Sequence, residues 1–142
     1  MRFVTLKSET QLDMQSLHRA RDRLMGERTA LINQMRAILM ERGIIVPQGR
    51  RKLEVFLETL LAAEQVPLSP RTRLLIEDQR AEWRDLDRRI GAFDEEFARQ
   101  ARTDEAARLL TTIPGIGPLN ATALIAAVGR AETFGRGRDL AA

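Results

Sequence analysis

The sequence predicts an all-α protein: a long antiparallel helical hairpin followed by a helix-hairpin-helix. Three observations predict it. Leu17, Leu24, Leu31 and Ile38 recur every seventh residue, and so do Ile76, Trp83, Ile90 and Phe97. Apolar residues at that interval form one stripe along a helix. The third is the run Ile113-Pro114-Gly115-Ile116-Gly117-Pro118, a glycine turn that opens directly into the small-residue stretch Leu119–Ala127.

Met1 to Lys7 is short and extended in character. Ser8 with Gln11 forms a capping-box pattern, in which each side chain satisfies the other's backbone N–H. A long helix is expected from there to about Arg42, stopped by Gly43. Its seam also carries Met14, Arg21, Arg28, Met35 and Arg42. Three arginines argue against a dry two-stranded coil; they either pair with acids on a facing helix or face nucleic acid. Pro47 and Gly49 punctuate residues 43–52. A short helix is expected over Lys52–Ala63, with Leu53, Phe56, Leu57, Leu60 and Leu61 on one face.

Ser69-Pro70 supplies an N-cap and a proline at the first helical position. The second long helix should run to about Arg102, with Leu86 and Phe93 filling its stripe. Each long helix would span roughly 50 Å at ~1.5 Å per residue. Glu82, Asp85, Asp87, Asp94, Glu95 and Glu96 are placed to meet the arginines of the first helix. Whether the heptads pair within one chain or between chains stays open. Thr103-Asp104-Glu105 caps a helix over Ala106–Thr112, and a further helix should end at Gly129. Gly135-Arg136-Gly137-Arg138 reads as a basic turn before the start of another helix at Asp139.

The glycine turn is the candidate site. Gly115 and Gly117 suit positive φ and close approach of a ligand to the backbone. Pro118 suits a helix start, whose unpaired N–H groups and positive dipole end favour a phosphate oxygen. Ala121, Ala123, Ala126 and Ala127 should let this helix pack closely on the one before it. The nucleic-acid-binding candidates are Gly115, Ile116, Gly117, Leu119, Asn120, Arg136 and Arg138. Arg21, Arg28, Arg50, Arg51 and Lys52 form a candidate basic patch, although the last three also suit a solvated helix start. A turn of this kind also serves as packing or as a protein contact.

Composition bounds the rest. The 142 residues suit one domain or a piece of a larger protein. With no cysteine and one histidine, His18, thiol chemistry and a histidine-based metal centre are excluded. His18 reads as a surface or packing residue. No apolar run approaches the ~20 residues of a membrane span, and no signal peptide is visible; a cytoplasmic location is the expectation. Net charge is only +3. Residues 1–52 carry 11 basic and 5 acidic side chains, whereas residues 53–110 carry 9 and 13. Arginine supplies 21 of the 23 cations, which suits phosphate recognition and equally a GC-rich codon bias. Scarce aromatics disfavour a base-stacking platform. No phosphate-binding loop, HExxH or nucleophile elbow is present. No catalytic, metal or cofactor residue is assigned.

The run Leu110–Leu124, continued by Gly129, Phe134 and Gly137-Arg138-Asp139-Leu140-Ala141-Ala142, resembles a known family. So do Arg2-Phe3-Val4, Lys7-Ser8, Asp13, Leu17-His18-Arg19, Arg21, Leu24, Arg28–Gln34, Leu39, Glu41 and Gly43-Ile44. These blocks resemble insertion-sequence transposases that pair an N-terminal DEDD domain with a C-terminal serine domain, also described as bridge-RNA-guided recombinases. The resemblance implies a helical coiled-coil connector over residues 1–102. Residues 103–142 would then be the helix-hairpin-helix that starts the C-terminal transposase domain. In the family the four acids precede, and the serine follows, the matching region, so no catalytic residue is carried over. The expectation is a truncated transposase read from an internal start, inactive alone. It would bind DNA and structured guide RNA and act as a homo-oligomer or as a subunit of an intact transposase. The alternative is a free-standing helical adaptor for protein–protein interaction; an active recombinase would need a partner to supply both sites.

Overall fold

The computed structural model describes residues 6–63 and 67–129. Among these the protein is all-α, with helices α1 (Glu9–Met40), α2 (Arg50–Ala62), α3 (Pro70–Thr103), α4 (Glu105–Thr111) and α5 (Pro118–Val128) and no strand.

The helix boundaries follow from local chemistry. At the start of α1 the Ser8 N–H donates to Gln11 Oε1 at 2.9 Å and the Gln11 N–H to Ser8 Oγ at 3.3 Å, the reciprocal capping box. At its end Gly43 takes φ 73°. The Ile44 N–H reaches Leu39 O at 3.1 Å and the Gly43 N–H reaches Met40 O at 2.9 Å, which is the Schellman closure. Helix α2 begins two residues earlier than expected, so Arg50, Arg51 and Lys52 form its first turn. Ser69 Oγ accepts the Thr72 N–H at 3.3 Å ahead of Pro70.

The chain forms two compact units, Arg23–Ile90 and a second that joins the chain up to Asp22 with the chain from Gly91 onward. The first is a three-helix arrangement. Leu24, Leu31, Ile32, Met35 and Leu39 of α1 are buried, as are Leu53, Leu57 and Leu61 of α2 and Ile76, Trp83, Leu86 and Ile90 of α3. A fully buried side chain of this size contributes about 1.5–3 kcal/mol, so this core is the main source of the unit's stability. Arg28 meets Asp87 and Arg42 meets Thr72, so the numbering rises on α1 as it falls on α3 and the two helices are antiparallel. Helix α2 is antiparallel to α3 as well: Arg50 reaches Asp87, Arg80 reaches Glu58, and Arg73 donates to Leu61 O.

In the second unit, the first turns of α1 pair with the last turns of α3 through His18 on Phe97 and Arg21 on Asp94. Helices α4 and α5 close on a small core of Ala101, Ala107 and Ala121, with Leu110, Ile116 and Ile125 packed against it. The expected alanine contact holds for Ala121, which shares this core; Ala126 is buried but lies outside it, Ala123 is half-buried and Ala127 is exposed. One helix face cannot hold all four, because residues at i and i+1 lie about 100° apart around the axis.

Candidate nucleic-acid interface

The α4–α5 hairpin is built by three local devices. Asp104 caps α4, its Oδ1 accepting the Ala107 N–H at 2.8 Å. The Ile116 N–H then donates to Ile113 O at 3.0 Å, closing a four-residue turn. Pro114 sits at its second position and Gly115, at φ 90°, at its third, which is the type II pattern. Finally Gly117 caps α5 with its backbone alone and Pro118 occupies the first helical position.

Gly117 departs from the expectation of positive φ. It lies at φ −88°, ψ 177°, ordinary extended backbone, because the cap residue of a helix is non-helical without being left-handed. Its openness is what matters: a Cβ built there meets nothing within 4 Å. No side chain caps α5, and its first turn holds no acid. The Leu119 and Asn120 N–H groups precede the first intrahelical donor, Ala121, whose N–H reaches Gly117 O at 3.0 Å. The tip therefore presents uncapped donors and a positive dipole end beside an open glycine. Gly115, Gly117 and Asn120 are exposed and Leu119 is half-buried. Ile116 directs its side chain toward the alanine core, so only its backbone belongs to the tip.

Three side chains not assigned to the site hold α5 in place. Gln15 Nε2 donates to Ala126 O at 3.0 Å and Gln11 Nε2 to Ile125 O at 3.4 Å, supplying donors for the last carbonyls of the helix. His18 Nε2 lies 3.1 Å from Thr122 Oγ1, which itself donates to Pro118 O at 2.9 Å. Positions 11, 15 and 18 share one face of α1; polar residues recurring at that spacing beside the heptad line were the available signal. His18 also stacks on Phe97, with centroids 4.0 Å apart and planes 6° from parallel. Burial holds its pKa below the ordinary value of 6.5, against Asp22, which raises it, and with Arg21, which lowers it.

The candidate basic residues divide. Arg21 and Arg28 are turned into the helix pairing, their side chains 14% and 12% exposed, and meet Asp94 at 2.6 Å and Asp87 at 2.5 Å. Arg50 also reaches Asp87, at 3.2 Å. Arg51 and Lys52 are exposed, with no ion pair among the described residues. Of the other acids named from sequence, Asp85 and Glu96 pair with Arg88 and Arg99 on their own helix. Arg136 and Arg138 lie outside the described residues. No cluster of potential metal ligands occurs among the described residues, and no helix there is long and apolar enough to cross a membrane.

The model of the Transposase IS116/IS110/IS902 family matches residues 107–142, a stretch that opens in α4 and includes the turn and α5. The chain is 38% identical, along its whole length, to the transposase for insertion sequence element IS1111A of Coxiella burnetii, covering 39% of that protein. It is 38% identical to a probable family 20 transposase of Pseudomonas aeruginosa, covering 42% of it. It is 34% identical to the transposase for insertion sequence element IS1328 of Yersinia enterocolitica, again covering 42%. Similarity to these transposases thus runs over the whole chain, which spans about two fifths of the length of these curated relatives. No solved structure matches it.

Proposed function

We propose that this transposase-like chain binds the backbone of nucleic acid through the α4–α5 hairpin, as part of DNA transposition. The observation that carries the proposal is the tip: uncapped N–H groups of Leu119 and Asn120 beside the open Gly117, with Gly115 making the turn. Such a tip takes a phosphate oxygen without reading a base, so binding is expected to be tolerant of sequence. DNA is the primary partner and structured guide RNA a second. Helical assembly with another copy or with a longer transposase accompanies binding, and strand cleavage is not assigned to any residue of this chain.

The test is fluorescence anisotropy of the full chain on duplex DNA and on a structured RNA, at low and high salt. Binding that weakens steeply with salt is expected, because phosphate contacts release counterions. Gly117→Val places a branched side chain in the phosphate's path while its backbone conformation suits valine, so affinity should fall with helicity unchanged. Equal affinity for a folded Gly117→Val variant would rule the hairpin out.

A second reading, protein contact through the hairpin, draws on exposed apolar residues of the same unit: Leu109, Ile113 and Leu124 are 65%, 48% and 39% exposed. Salt-insensitive capture of a protein, with no affinity for DNA or RNA at low salt, would favour it.

A further inference from the structure

We infer that the first turn of α2 is a second, independent contact for the phosphate backbone of duplex DNA. The choice of polymer rests on the proposal above; the site itself does not, since it belongs to the Arg23–Ile90 unit.

Three consecutive cations, Arg50, Arg51 and Lys52, open the helix. Arg28 arrives from α1, and it and Arg50 converge on one oxygen, Asp87 Oδ1, at 2.5 and 3.2 Å. A single carboxylate thus faces two guanidinium groups, while Arg51 and Lys52 stand exposed without a carboxylate partner among the described residues. Glu54, one turn on, is the next acid of the helix. Beside the covered Arg28–Asp87 pair, three exposed cations stand against Glu54 and leave the surface positive.

The backbone adds to that sign. Helix α2 has no acid in its first turn, and Gly49 provides no side-chain cap. Cations stabilise the C-terminal end of a helix and oppose the N-terminal one. Arg50, Arg51 and Lys52 therefore occupy the end where their charge is least favourable for folding. An external anion relieves that repulsion, and Arg51 and Lys52, about 100° apart around the helix axis, are placed for separate phosphates of one backbone. The aromatic residues nearest in the same helices, Phe56 and Trp83, are half-buried and buried, so unpaired bases find no stacking surface. That points to duplex backbone over single strands.

The experiment compares the full chain with Arg51→Glu/Lys52→Glu on a short mixed-sequence DNA duplex, between about 50 and 200 mM salt. Acids suit the first turn of a helix, so the variant should be as helical as the parent and melt at the same or a higher temperature. Its affinity should fall between roughly tenfold and a hundredfold near 0.1 M salt, and its log–log salt slope should be shallower by about 1.8, the value for two lost phosphate contacts. A folded variant with unchanged affinity and slope overturns the inference. Should charge reversal disturb the fold, Arg51→Gln/Lys52→Gln is measured in its place, with the same expectations and the same overturning result. Gly117→Val, run in parallel, separates the two sites. Loss of binding in that variant alone overturns the α2 contact and leaves the hairpin standing. Loss in the α2 variants alone supports the contact and removes the hairpin.

Discussion

His18 stands where a ring can be stacked on Phe97 and hydrogen-bonded to Thr122 only by giving up water. Its pKa is lowered, chiefly by burial, so the folded state favours the neutral ring. The stability this contributes is complete above about 6.5, the ordinary value, and is lost as pH falls through the lower folded value. Proton NMR of the single histidine should give a midpoint below 6.5, and His18→Gln should flatten the part of the stability–pH curve below it. A midpoint above 6.5 would show that Asp22 outweighs burial. Arg28 makes the matching case for a charge. With its side chain mostly covered, removal of its carboxylate by Asp87→Asn strands a guanidinium group in the helix pairing. Asp87 is itself 37% exposed, which discounts the cost of breaking the pair to about 1–2 kcal/mol by chemical denaturation.

Among the elements, the hairpin shows how two glycines of one motif take different duties. Gly115 is fixed by φ 90°, a backbone conformation that side chains resist. Gly117 is in extended backbone facing open space. Gly115→Ala should therefore cost about 1 kcal/mol and Gly117→Ala less than about 0.5 kcal/mol. Equal costs in urea melts would contradict the assigned turn. Glycine content alone made both look alike, because sequence does not state the sign of φ. Helix α5 draws on α1 for one of its last carbonyls, Ala126 O, while Ile125 O also accepts the Gly129 N–H. Gln15→Ala should loosen its C-terminal turn by about 1 kcal/mol, visible as faster amide exchange around Ala126.

For the molecule as a whole, part of the charge asymmetry of the sequence is spent inside it. Arginines of the basic first third meet acids of the acidic middle, Arg28 on Asp87 in one unit and Arg21 on Asp94 in the other. Arg51 and Lys52 at the start of α2 are exposed without an ion pair among the described residues, and so are Arg19, Arg71, Arg89, Arg102 and Arg108. The helical pairing itself is apolar. Leu24 and Ile90, 1% and 4% exposed, lie in it, so Leu24→Asp or Ile90→Asp should each cost more than about 3 kcal/mol and broaden thermal melting. The control Leu12→Asp, on a half-exposed side chain, should be near neutral. Unchanged melting of the first two would remove the paired-heptad architecture.

The helices and their ends were legible in the chain because their causes are local. The Ser8–Gln11 box, Ser69-Pro70, Gly43 and Asp104 all act within about one turn of helix, and each is found performing that duty. The type II turn was half legible: Pro114-Gly115 implied it, while Gly117 resembled Gly115 without sharing its conformation. Partnership was not legible, since it depends on residues far apart in sequence. Heptads alone fit pairing within or between chains; the contacts of Arg28 with Asp87 and of Arg42 with Thr72 place α1 against α3 of the same chain. The same distance in sequence hid the roles of Gln11, Gln15 and His18, whose partners on α5 lie more than a hundred residues away. It also hid which arginines would be neutralised, because a cation's availability depends on what the fold brings opposite it.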